Sequence, residues 1–129
     1  MDSRFLDTNI FIEVFARSGT KSDKCKKLLA EGKDLITTSL VVSEIEWVLR
    51  TAYLLDRNGT SKYIKSILTS GIEVDNKKNL IQTLNFYEYN NVDWTDCLNM
   101  FLIKEKNISK AYSYDKGLNK FDWIKRLEP

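Results

Sequence analysis

The sequence predicts an α/β fold in which a parallel sheet is covered by helices on both faces, and three observations lead there. Short β-prone runs alternate along the chain with longer stretches of helical periodicity, the order that builds strand–helix–strand units. Small polar or acidic residues stand where each run hands over to a helix, as capping requires. No internal repeat, low-complexity tract or linker interrupts the alternation, so the 129 residues read as a single domain over 1–129.

Taken in order, the first strand run ends at Leu6. A helix over 8–17 follows, with Ile10, Phe11, Val14 and Phe15 on one side and Ser18-Gly19 as its break. Ser22 or Asp23 caps a second helix through Glu31, with Cys25, Leu28 and Leu29 inward and Gly32 as terminator. Leu35-Ile36-Thr37-Thr38 is the second strand. Ser39 caps a long helix over 40–55, which the turn Asp56-Arg57-Asn58-Gly59 ends, and a further helix covers 61–69 before Gly71. Ile72-Glu73-Val74 is the third strand, and Asp75 caps a helix over 76–89. After the polar break Asn90-Asn91, Asp93 caps a helix over 94–106. Residues 108–114 form the fourth strand, ending at Asp115, and the tail 116–129 adds a helical turn and a small fifth strand around Trp123-Ile124.

Composition narrows the chemistry. At 43% hydrophobic and 29% charged, the chain reads as a soluble globular protein. It opens without a basic-then-apolar leader, and no apolar run reaches the roughly 18 residues of a membrane span. Cys25 and Cys97 make no CxxC pair, which fits a reduced, cytoplasmic compartment. Histidine is absent, which removes Ser-His and Cys-His nucleophile pairs, histidine acid–base chemistry and most zinc sites. Cys25 sits among Lys24, Lys26 and Lys27 but has no base to orient it, so it reads as a structural thiol. Any catalysis falls to carboxylates, hydroxyls and lysines, most naturally with a metal.

Several acids stand where structure alone asks little of them. Asp7 closes the first strand where a helix begins, the edge at which open α/β sheets bind ligands, although Asp7 or Thr8 serves equally as a helix cap. On the helix over 40–55, Glu44 has Leu40, Val41, Trp47 and Val48 three and four residues away, so it is expected on the core-facing stripe. A lone buried charge is costly, so Glu44 there must be ion-paired, protonated or metal-bound. Glu46, beside Ser43 and Arg50, is expected in solvent. Asp93 and Asp96 share a helix face at i and i+3, as cap and first-turn acid or as ligands. Asp115 closes the fourth strand, as a turn residue or as a ligand. Asp7, Glu44, Asp96 and Asp115 come from four distant segments and are expected on one rim of the sheet, a convergence that capping does not require. Oxygen donors without histidine or paired thiolates favour Mg²⁺ or Mn²⁺. The net charge is only +2, but setting those four acids aside leaves 14 acidic against 20 basic residues, a surround suited to a polyanion.

The motifs Phe5-Leu6-Asp7-Thr8-Asn9, Val41-Val42-Ser43-Glu44, Asp93-Trp94-Thr95-Asp96 and Ser113-Tyr114-Asp115, in this order across essentially the whole chain, resemble a PIN-domain ribonuclease of the VapC toxin type. The resemblance implies a three-layer α/β/α fold with a central parallel sheet of about five strands. It also implies an Mg²⁺- or Mn²⁺-dependent endoribonuclease that forms a homodimer and is held by a cognate antitoxin. By this resemblance Asp7 and Asp96 are the main metal ligands, helped by Asp115, and Glu44 completes the pocket directly or through water. Thr8, Asn9 and Ser113 position ligands or a phosphate, and Asp93 is a cap or an outer acid. The chain departs from the pattern in two places: Cys97-Leu98 follows the third acid where a small residue is usual, and Lys116-Gly117 follows the fourth where a second aspartate is usual.

Other readings remain beside this one. A receiver domain would need adjacent acids after the first strand and a phosphoacceptor aspartate near mid-chain, and Thr8-Asn9 and the helical Glu44 do not supply them. A non-catalytic PIN-like module that binds RNA or protein is the stronger alternative. Lys26-Lys27, Lys77-Lys78 and the basic stretch over 104–110 are phosphate-contact candidates or solvated faces. The arm over 40–69, with Trp47, Tyr53, Leu54 and Leu55, carries more apolar surface than one core stripe uses and is expected to meet a dimer or antitoxin partner.

Overall fold

A computed structural model describes residues 2–129 of the chain. They fall into two compact units, the first ending at Lys77 and the second running from Lys78 to Pro129.

The first unit runs β1 (Arg4–Phe5), α1 (Thr8–Ala16), α2 (Thr20–Glu31), β2 (Leu35–Thr37), α3 (Ser39–Thr51), α4 (Arg57–Leu68) and β3 (Glu73–Val74). The strands pair in parallel in the order β1-β2-β3, with Arg4 beside Leu35 and Thr37 beside Val74. Central β2 is the most covered strand: Leu35 and Thr37 are buried, and the Thr37 hydroxyl donates to the Leu6 carbonyl at 2.9 Å. A buried hydroxyl needs such a partner, and this one ties β2 to the end of β1 just before Asp7. Helix α3 packs on α1 and α4, and Phe11, Val42, Ile45, Leu49 and Ile64 are fully covered. Each such side chain contributes about 1.5–3 kcal/mol of hydrophobic stabilisation.

Several local expectations change here. Thr38, not Ser39, caps α3, its hydroxyl accepting from the Val41 amide at 3.1 Å. Ser39 instead donates its amide and hydroxyl to Asp75 at 2.7 and 2.9 Å, so Asp75 ties the end of β3 to the start of α3. Helix α3 stops at Thr51 rather than at 55. Leu54 takes a positive φ of 56°, and the Leu55 amide turns back to the Leu49 carbonyl at 3.0 Å. Asp56 does not open a turn but caps α4, accepting from the Gly59 amide at 2.7 Å, so Gly59 lies inside the helix. An Asp followed by polar residues and glycine satisfies both a turn and a helix start, and the unfilled amides of the first turn decide for the start. Helix α2 begins at Thr20 and buries Ser22 and Cys25, while Leu28 is exposed. On α3, Leu40 and Trp47 are exposed, as is Leu54 beyond its end.

The second unit holds α5 (Lys77–Tyr89) from its second residue on, α6 (Trp94–Glu105), β4 (Lys110–Tyr112), a short 3-10 helix (Lys116–Lys120) and β5 (Lys125–Leu127). Its core is Val92, Cys97, Met100, Phe101, Leu118, Phe121 and Ile124, with Phe86, Ala111 and Trp123 packed against it. The rings interlock, Phe86 stacking on Phe121 at 5.0 Å and Phe101 meeting Trp123 at 4.9 Å. Strands β4 and β5 pair in parallel, Lys110 beside Lys125 and Tyr112 beside Leu127.

The strands are parallel as expected, but they form one ladder of three and one of two rather than a single sheet of about five. The fifth strand begins at Lys125, beyond Trp123-Ile124, because those two side chains are committed to the aromatic cluster. The fourth shrinks from 108–114 to Lys110–Tyr112, the length its partner matches. Among the described residues, no helix is long and apolar enough to cross a membrane.

Candidate active site

The structure brings the predicted site residues together in two groups, one in each unit. In the first unit, β1 leads into α1 through Leu6, which is buried, and Asp7 follows as the N-cap, its Oδ1 accepting from the Thr8 amide at 2.8 Å. The Thr8 hydroxyl donates to Glu44 Oε2 at 2.9 Å, linking the start of α1 to α3. Asp7, Thr8, Asn9 and Glu44 line one open cleft of about 380 Å³ together with Ile12, Arg17, Val48, Ala52 and Tyr53.

Glu44 reaches this cleft from the solvent side of α3, which corrects the sequence expectation. The buried stripe is Val41, Val42, Ile45 and Leu49, with Glu46 also buried at 2% exposure, while Glu44 is exposed. Leu40 and Trp47, the neighbours that made Glu44 look core-facing, are themselves exposed. Apolar residues at i−4 and i+3 therefore mark a second, outward apolar face. The expectation for Glu46 also reverses: it is buried, and its carboxylate pairs with Arg50 at 2.9 Å in i, i+4 geometry.

Sequence reasoning passed over two polar members of this cleft. Arg17 donates from Nε to the Tyr53 hydroxyl at 2.8 Å and from Nη1 to Glu13 Oε2 at 3.1 Å. The Glu13–Arg17 spacing of four was a readable signal for that ion pair. Tyr53 was expected on the partner-facing arm, and no local signal pointed it to Arg17 in this cleft.

In the second unit, Asp93 occupies the N-cap position of α6 without a capping hydrogen bond from its side chain, and Asp96 lies in the first turn. Asp115 caps the 3-10 helix, accepting from the Gly117 amide at 2.8 Å, and its own amide donates to the Ser113 hydroxyl at 2.9 Å. A Cβ at Gly117 would stand 3.0 Å from Asp115 Oδ1, so the glycine gives the carboxylate room. Lys120 donates to the Asn91 carbonyl at 2.6 Å, holding the 3-10 helix against the segment before α6. Asp93, Asp96 and Asp115 line a pocket of about 200 Å³ with Asn91, Val92, Gly117 and Phe121. Cys97, which follows Asp96, is fully covered in the apolar cluster and lends the pocket no donor.

The electrostatics of this pocket are those of crowded acids. Asp96 holds its proton above the usual carboxylate range, first because burial disfavours its charged form. The next causes are a hydrogen bond to the Asp115 carboxyl and the negative charges of Asp115 and Asp93. Two carboxyls within hydrogen-bond reach of each other either share a proton or take a cation between them.

The donors fit a hard divalent ion in kind, being carboxylate and hydroxyl oxygens. Among the described residues, no three of the acids and cysteines are grouped so as to hold an ion by themselves. Mg²⁺ does not ask for that, since it is commonly bound by one or two carboxylates plus water and substrate phosphates.

Comparison with known proteins adds the family. No curated protein matches the sequence significantly. Among solved structures, the Mycobacterium tuberculosis VapC20 toxin, described as cleaving the Sarcin-Ricin loop, is similar at 15% identity and a TM-score of 0.45, over 93% of this chain and 95% of that one. The PIN domain family model matches residues 4–124. With nearly its whole length matched by that model, the chain belongs to the PIN domain family.

Proposed function

We propose that this PIN-domain chain is a metal-dependent endoribonuclease, the toxin of a toxin–antitoxin pair, acting in the cytoplasm as a single domain. The observation that carries the reading is the Asp96–Asp115 pair lining one pocket, where burial first and then the neighbouring carboxyls raise the Asp96 pKa. Such a pair is costly in the free protein and is repaid by a cation. By the motif resemblance Asp7 and Asp96 would be the main ligands for Mg²⁺ or Mn²⁺, with Asp115 assisting and Glu44 contributing directly or through water. When bound, such an ion supplies an activated water and stabilises the charge that develops on a scissile phosphate.

The remaining roles belong to the chain. Thr8 fixes Glu44 through its hydroxyl, Ser113 and Gly117 fix the Asp115 turn, and Asn9 offers an amide to a phosphate in the same cleft as Asp7. Asp93, whose carboxylate is not spent on capping, adds negative charge beside Asp96. The partners of this reading are an RNA substrate, a cognate antitoxin and a second copy of the chain in a homodimer. The exposed Leu40, Trp47 and Leu54 are the apolar surface offered to the protein partners.

The test is cleavage of RNA by the purified chain with Mg²⁺, with Mn²⁺ and with EDTA. Cleavage that appears only with metal, and a growth arrest on overexpression that Asp96→Ala relieves, are the expected results. RNA binding without cleavage under any metal would mark a non-catalytic member of the family instead.

A further inference from the structure

We propose that the outward side of the β4–β5 ladder is a base-stacking surface, on which Tyr112 and Tyr114 hold unpaired nucleotides of an RNA strand next to Asp115. The inference takes its ligand class from the ribonuclease reading and adds the surface that selects the strand.

Strand β4 alternates in exposure, with Ala111 turned to the aromatic core and Lys110 and Tyr112 turned out. The register places Lys125 beside Lys110 and Leu127 beside Tyr112, so the outward side presents two lysines, a tyrosine and an aliphatic side chain. Tyr114 follows two residues beyond, immediately before Asp115. Tyr112 and Tyr114 are 73% and 71% exposed. Neither ring meets another ring or makes a hydrogen bond among the described residues, whereas Phe86, Phe101, Phe121 and Trp123 of the same unit interlock. Large rings left open to water are a cost that packing does not explain.

Charge chooses the occupant. From residue 106 to 126 there are six cations and two acids, one of them Asp115 itself. A polyanion with flat, unpaired bases satisfies both features, the phosphates meeting Lys110 and Lys125 and the bases meeting the rings. A duplex keeps its bases stacked inside and offers these tyrosines only sugar and phosphate. The backbone behind the surface is braced, since Arg126 donates to the Ser113 carbonyl at 2.9 Å and the Ser113 amide donates to the Leu127 carbonyl at 2.9 Å.

The experiment measures binding of the full chain, in EDTA, to a labelled 2′-O-methyl RNA single strand that cannot be cut and to the same strand in a duplex. The single strand is expected to bind more tightly. Tyr112→Ala and Tyr114→Ala should each weaken it by about fivefold to a hundredfold, while Tyr112→Phe and Tyr114→Phe, which keep the ring, stay near wild type. Lys110→Gln should flatten the salt dependence by about 0.7 in logarithmic slope. Alanine variants that bind like wild type, phenylalanine variants that lose as much as alanine, or equal binding of duplex and single strand would each overturn the proposal. If the chain cleaves RNA with Mn²⁺ but the tyrosine variants bind normally, the stacking surface fails and the ribonuclease reading stands. If the tyrosine variants lose binding but no metal supports cleavage, the reverse holds.

Discussion

The two acidic groups of this chain use the same residue types to opposite effect. Around Asp7 and Glu44 the carboxylates are answered by donors: the Thr8 amide serves Asp7, and the Thr8 hydroxyl serves Glu44. Around Asp96, burial and then the Asp115 and Asp93 carboxyls raise the pKa instead. The first group has a donor for each carboxylate, whereas the second sets Asp93, Asp96 and Asp115 around one pocket. Acids held by donors can orient a ligand without needing it, whereas acids held against one another need a cation.

The sharpest way to break this contrast is Asp96→Asn. Removing the charge should abolish RNA cleavage, by about three orders of magnitude or more if a ligand to the catalytic ion is lost. The same variant should melt higher than wild type in EDTA, by a few degrees at most, because the repulsion is gone. A thermal melt and a single-turnover cleavage assay check both halves, and a variant that is active and no more stable would erase the distinction.

Asp7→Asn separates ligand from cap in the other group. Asparagine caps as well as aspartate, so the melting temperature should stay put while cleavage falls by about a hundredfold or more. Asp7→Ala should lose both, with about 1 kcal/mol of stability gone with the cap. Equal cleavage by the asparagine variant and wild type would reduce Asp7 to a cap.

Smaller effects probe the supports. Thr8→Val deletes the hydroxyl that holds Glu44, and a loss of about fivefold in rate is expected, the scale of one hydrogen bond of about 1 kcal/mol. Thr8→Ser should retain most of the rate. Gly117→Ala sets a methyl against the Asp115 carboxylate and should weaken Mn²⁺ binding by a few fold, read by titration.

The same contrast explains what the sequence made legible. Asp7, Asp93 and Asp115 were readable because strand ends and helix starts leave local signatures, and the structure places each at an N-cap. Glu44 and Glu46 were exchanged because α3 carries two apolar faces, and helical spacing cannot say which of them meets the core. The Arg17–Tyr53 bond, the Ser39–Asp75 tie and the Asp96–Asp115 approach join segments far apart in the chain. Such contacts follow from packing, not from any window of residues. Of the two-stranded ladder, the first strand was legible within 108–114, but the second was displaced, since Trp123 and Ile124 look like strand residues until the aromatic cluster claims them.

If the crowded acids of the second unit form a cation site, calorimetric titration of Mn²⁺ into the purified chain should reveal it. Saturable binding to wild type that is lost in Asp96→Asn is the predicted result. Binding that is unchanged in Asp96→Asn, or absent from wild type, would contradict the account.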